Sequence, residues 1–289
     1  MPWSTYVEAA LTRENARRRI YLFLVLTFAL SAVFWVLAGR GASVPQELIT
    51  LGLMWCPGIA ALVTMLAFRR NVRGLGWQRG PVRYLLLSYA LPAVYAGVVY
   101  GLTWLLGWGA LTTERVPEGQ PWPVSALTNA TVLFLAGGLL PALGEEIGWR
   151  GLLVPQLARL TSFTKTALIS GAIWAVWHYP MILFAGYHGD TPRWYALLCF
   201  TVMAVAMSFA FAWLRLRSGS LWTAVILHAA HNVFIQTIFD PLTRDTGFTA
   251  YITTEFGIGL AVAAVVVAVL CWSRRGDVDG SASPVAPAT

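Results

Sequence analysis

In residues 143–153, "LGEEIGWRGLL", Glu145 and Glu146 stand side by side, with Arg150 four residues beyond the second. Further on, "WAVWHYP" carries Trp174 and His178, and "HAAHN" carries His228, His231 and Asn232. A carboxylate can take a proton from water, an imidazole can pass it on, and an amide can donate to an oxyanion. On a helix Glu146 and Arg150 share a face and can pair, whereas Glu145 points about 100° away. The pair would then position the helix end, and Glu145 would face the interior, where desolvation suits a carboxyl to general-base work. The plainer reading is an interfacial salt bridge plus one solvated glutamate. Pro141, four residues before Glu145, frees a backbone carbonyl and bends the helix. His178 can pack on the Trp174 indole one turn back, and His228, His231 and Asn232 cover one face of a helix.

Hydrolysis of a peptide bond needs a base for water, donors for the oxyanion and a proton for the leaving amine. One Glu, two His and an Asn supply these without a nucleophilic Ser or Cys. Glu145, His178 and His228 would also make a zinc set, although the His-Glu-x-x-His helix is absent and an Asn amide is a poor ligand. No metal or other cofactor is favoured, with zinc as the alternative. Non-enzymatic readings are a scaffold or immunity factor, and a transporter whose buried Glu and His relay protons.

These residues are conspicuous because of what surrounds them. The chain is 57% hydrophobic and 11% charged, against about 25% charged in a soluble domain, which makes it a membrane protein by composition. Apolar runs long enough to cross the bilayer recur at about 20–38, 48–68, 84–106, 126–144, 167–185, 195–214, 221–239 and 256–272. An all-α polytopic protein of about eight transmembrane helices is expected, with residues 20–275 in the membrane. Residues 1–19 are expected to be a cytoplasmic segment able to lie at the interface, and 276–289 a disordered tail. Residues 150–163 read as an interfacial helix, and 107–123 as turns without chemistry.

Lys and Arg fix the orientation. With the N-terminus inside, sixteen fall on the cytoplasmic side and four, Arg40, Arg115, Arg193 and Arg244, outside. Both termini are therefore expected in the cytoplasm, and the plasma membrane is the expected location. The net charge of +7 follows from this bias and from attraction to anionic lipid, not from nucleic-acid binding. Cys56, Cys199 and Cys271 lie in three different spans and suggest neither disulfide nor zinc site. The expected partners are the bilayer and a membrane peptide or protein substrate. The sequence sets no oligomeric state.

Taken in order, "EEIGWR", "WAVWH" and "HAAHN" resemble the Glu-Glu-x-x-x-Arg, Phe-x-x-x-His and His-x-x-x-Asn motifs of the CPBP family. These are the CAAX proteases and bacteriocin-processing (Abi) proteins, which include the type II CAAX prenyl endopeptidases. The resemblance covers about 126–240, and the first three spans match only in being hydrophobic. It implies a conical intramembrane cavity open to the cytoplasm and an endopeptidase that works by glutamate-activated water. Glu145 would be the base with His178 as its partner, and His228 and Asn232 the oxyanion donors. Glu146 and Arg150 would be structural. Trp174 stands where the family usually has Phe, and His231 has no place in the motif. Since the composition reads as bacterial, a membrane peptide, bacteriocin or signalling precursor is a better expected substrate than a prenylated protein.

Overall fold

The computed structural model describes residues 3–41, 44–68, 71–116 and 120–279. The chain is built from helical runs: α1 (Trp3–Gly39), α2 (Gln46–Ala67), α3 (Val82–Leu105), α4 (Trp122–Ala158), α5 (Phe163–Phe184) and α6 (Arg193–Ser218). They are followed by α7 (Trp222–Asn232, prolonged through Val233–Phe239) and α8 (Ile258–Ser273). The first six of these runs contain segments long and apolar enough to cross a membrane, so this is an all-α multi-pass membrane protein. The seventh and eighth expected spans fold as α7 and as α8, which has 16 residues.

Proline sets several helix starts. Pro45, Pro81, Pro121 and Pro192 stand immediately before α2, α3, α4 and α6, where a missing N–H costs nothing because the first turn has no acceptor for it. At the other end of α6, Gly219 takes φ 72°, the left-handed conformation that closes a helix.

α6 is the most buried of the crossing-length helices and packs between α5 and α8. On the far side of the site, α2 lies against α4 at very short range. A Cβ on Gly144 would sit 2.8 Å from the Met54 carbonyl oxygen, and one on Gly148 would sit 2.5 Å from Pro57 Cβ. Gly144 and Gly148 form a Gly-x-x-x-Gly pair, the spacing that lets membrane helices approach backbone to backbone. Glu145 and Glu146 lie between them. By contrast, Leu86, Val94, Val98 and Leu102 on α3 are exposed and recur on one face, as a lipid-facing stripe does.

α4 is not evenly wound. Asn129–Gly138 and Ile147–Leu153 take the wider π-helical winding, the first just before Pro141, whose ring cannot donate to the turn behind it. Residues 151–158, expected to be a separate interfacial helix, continue α4, because Leu152, Leu153, Val154 and Leu157 are buried. Residues 107–123 do more than turn. β1 (Gly109–Leu111) pairs antiparallel with β2 (Thr243–Asp245), Ala110 facing Arg244. Of the expected tail, Gly276–Asp279 forms a helical turn with Val278 buried, and 280–289 lie outside the described residues.

Candidate active site

α4, α5 and α7 bring the expected residues together. Glu145, His178, His228 and Asn232 line one cavity of about 390 Å³, together with Trp174 and His231. The spans that carry them could have placed them at different depths, yet they share a single space.

Glu145, 2% exposed, is held through one oxygen. Its Oε2 accepts from Trp174 Nε1 at 2.9 Å and from Trp149 Nε1 at 3.2 Å. Both indoles work on the same atom, which leaves Oε1 to face the cavity. Trp149 sits one turn after Glu145, and its donor role was missed from the sequence although the spacing of four was there to be read. Trp174 does what a phenylalanine in its place could not, since a benzene ring has no N–H.

His178 Nδ1 lies 2.9 Å from the Trp174 carbonyl oxygen. A carbonyl only accepts, so Nδ1 carries the proton and Nε2 is left as a base. Its ring packs edge-on to Trp177 at 4.8 Å and against Phe200 at 4.7 Å between centroids.

Behind the cavity wall, Glu146 and Arg150 pair as the spacing of four predicts, with Arg150 Nη1 donating to Glu146 Oε1 at 2.8 Å. Neither touches water: they are 0% and 1% exposed. The guanidinium lies between the rings of Phe211, at 3.9 Å, and Trp174, at 4.5 Å. The same Glu146 oxygen also takes His228 Nδ1 at 2.9 Å, a contact across 82 positions that no local pattern reveals. It aims His228 Nε2 away from Glu146.

Asn232 is half-buried at the end of the α-wound part of α7. Immediately after Asn232, as immediately after Glu146, the winding widens to π, a local change often found at functional sites. His231 bonds through Nδ1 to the Tyr95 hydroxyl, so it ties α7 to α3. His188 Nδ1 bonds the Thr191 carbonyl, away from the cavity.

Among the lining residues not singled out from the sequence are Tyr187, Gln236 and Glu255. They sit near or beyond helix ends, where polar residues are cheap and draw no attention. The exposed rim of the cavity, at Gln46, Thr50, Gly186 and Gln236, is at the end of the bundle where α1 meets α2 and α5 meets α6. That end carries Arg40, Arg115, Arg193 and Arg244, opposite the richly basic end. With cytoplasmic termini, as the arginines suggest, these exposed lining residues would stand at the outer end of the bundle, whereas the resemblance implies a cavity open to the cytoplasm.

Among the described residues, no three His, Cys, Asp or Glu side chains converge as a metal ion requires. Glu145, His178 and His228 share the cavity without forming a coordination set, and Cys56, Cys199 and Cys271 are free thiols.

Residues 127–234 match the family model of the type II CAAX prenyl endopeptidase Rce1-like proteins. The chain is also similar to a Methanococcus maripaludis protein named CAAX prenyl protease 2, with 30% identity over 141 residues, 47% of this chain and 48% of the relative. It thus spans about half the length of the curated relative it matches. The matched segment contains all three motifs.

Proposed function

We propose that this protein, whose residues 127–234 match the Rce1-like family model, is an intramembrane endopeptidase of the plasma membrane that hydrolyses a membrane-associated peptide or protein by glutamate-activated water. The observation that carries the reading is the convergence of Glu145, His178, His228 and Asn232 on one cavity inside the helix bundle.

Water held between Glu145 Oε1 and His178 Nε2 loses a proton as its oxygen attacks the peptide carbonyl carbon. The oxyanion is met by the Asn232 amide and by His228. Because His228 Nδ1 already donates to Glu146, its Nε2 can donate only when the ring carries both protons. Glu146 is then the counterion of an imidazolium as well as the partner of Arg150. As the C–N bond breaks, the abstracted proton passes to the leaving amine, giving a carboxylate and an ammonium. Oxyanion donors of this kind are worth about 10²–10³ in rate each. Indole donors on Oε2 hold the carboxylate in one orientation, so its free oxygen is already in place when water arrives.

The arginine distribution supports cytoplasmic termini, which puts the rim of the cavity at the outer face. Bound substrates would then be the extracytoplasmic parts of anchored peptides or secreted precursors, such as bacteriocin or signalling peptides.

Cleavage of a quenched peptide library by the purified full chain in detergent tests the reading. Wild type should cleave with or without a zinc chelator, Glu145→Gln should not, and Asn232→Ala should lose about 10²–10³ in kcat. Loss on chelation would return Glu145, His178 and His228 to a zinc role. Full function of Asn232→Ala in a proton-flux assay, with no cleavage by any form, would favour a relay.

A further inference from the structure

One carboxylate in the cavity takes no part in the hydrolytic set. Glu255 lies in the turn before α8, is 5% exposed and lines the same cavity as Glu145. Its Oε1 accepts from the Tyr187 hydroxyl at 2.8 Å and from Gln236 Nε2 at 2.9 Å. Both donors are neutral, and among the described residues no Arg or Lys forms an ion pair with it. Burial, and then the Glu255 charge beside it, push the Tyr187 phenol well above its ordinary pKa, so the phenol keeps its proton and serves as donor.

The wall adds no Lys or Arg near Glu255. Two carboxylates, Glu145 and Glu255, line the cavity, and the His228 imidazolium is countered from behind by Glu146. Trp177, Tyr187 and Phe200 add ring faces, which attract cations. A buried carboxylate without a counter-charge is costly, and a cationic ligand group would offset that cost. Position sets it beside the hydrolytic residues and outside their hydrogen bonds: the Tyr187 ring stacks on His178 at 6.3 Å between centroids, and the Tyr187 hydroxyl carries Glu255.

We propose that Glu255 is the specificity determinant of this cavity, binding the ammonium or guanidinium of a Lys or Arg side chain in the substrate. This deepens the peptidase reading and rests on it. At about 3.3 Å per residue of extended chain, a peptide passing His178 would carry the basic residue within about two positions of the scissile bond. The side chain crosses the aromatic wall with its methylenes and ends on the carboxylate. A substrate presenting a free carboxylate at this point would be repelled.

The test uses N-acetylated ten-residue quenched peptides with a single Lys placed at each position in turn, each against its norleucine counterpart. Cleavage is measured for wild type and Glu255→Gln, and binding by anisotropy on the Glu145→Gln protein with and without Glu255→Gln. Glutamine keeps an oxygen for Tyr187 and Gln236, so the exchange removes charge and little else. The expected result is a Lys preference of about tenfold or more in KM and Kd at one position, falling to near unity in Glu255→Gln, with the loss on KM rather than kcat. Binding that is equal for Lys and norleucine, or absent for both, would overturn the proposal, as would a preference that survives Glu255→Gln. Lys-selective binding without cleavage by any form would count against the peptidase reading alone.

Discussion

Replacing Glu146 by glutamine changes one charge in a place with no access to water. Glu146 and Arg150 are 0% and 1% exposed, and the guanidinium cannot shed its charge. After the substitution the guanidinium keeps a neutral amide oxygen in place of the carboxylate, the Phe211 and Trp174 rings, Ser208 Oγ, 3.4 Å from Nη2, and the more distant charge of Glu145. Removing one partner of a buried pair costs about 3–5 kcal/mol. Glutamine fills the same volume, so no cavity term is added. At roughly 2–4 °C per kcal/mol for a chain of this size, the melting temperature should fall by about 6–20 °C. Glu145→Gln is the control within the same pair of residues. An amide oxygen still accepts from both Trp149 and Trp174, and no buried cation is orphaned, so stability should change by about 1 kcal/mol or less, while cleavage is lost. Thermal unfolding in detergent can be followed by a thiol-reactive dye, because Cys56 and Cys199 are buried and react only on opening; Cys271→Ser removes the partly exposed thiol. Equal melting of Glu146→Gln and wild type, or a Glu145→Gln protein that falls as far, would refute this division of labour.

Three further outcomes are expected. Trp174→Phe removes one of the two indole donors on Glu145 Oε2 and keeps an aromatic face for Arg150; kcat should fall about tenfold with KM little changed, as measured by steady-state cleavage, because the loss concerns carboxylate orientation. Gly148→Ala puts a Cβ 2.5 Å from Pro57 Cβ and should destabilise by about 1–3 kcal/mol in the same melting assay, whereas Gly137→Ala, with open space around it, should not. In intact cells a membrane-impermeant maleimide should label Gln46→Cys at the cavity rim but reach Arg217→Cys only after permeabilisation, in a background lacking the native cysteines. The reverse pattern would put the rim in the cytoplasm.

The candidate site was legible because a membrane makes polarity expensive. Glu145, His178, His228 and Asn232 stood out against apolar runs, where a charge costs about 2.5 kcal/mol or more, and the spacing of four gave the Glu146–Arg150 pair outright. Long apolar helices were legible for the same reason. What the sequence withheld was the partners that lie on other helices. The Glu146–His228 bond joins positions 82 apart, and which oxygen of Glu145 takes the indoles depends on how α4 and α5 are rotated. Windings that switch from α to π after Glu146 and Asn232 follow no propensity. Gly144 and Gly148 offered a readable signal in their spacing, which lets α2 close on one side of α4. Glu146 points to the opposite side of the helix, is buried there, and finds its donors inside the protein, in Arg150 and His228. Glu145, on the next face, finds indoles on one oxygen and the cavity on the other. Adjacent carboxylates thus do different work because one helix turn gives them opposite surroundings, one closed and ion-paired, the other open to whatever the cavity admits.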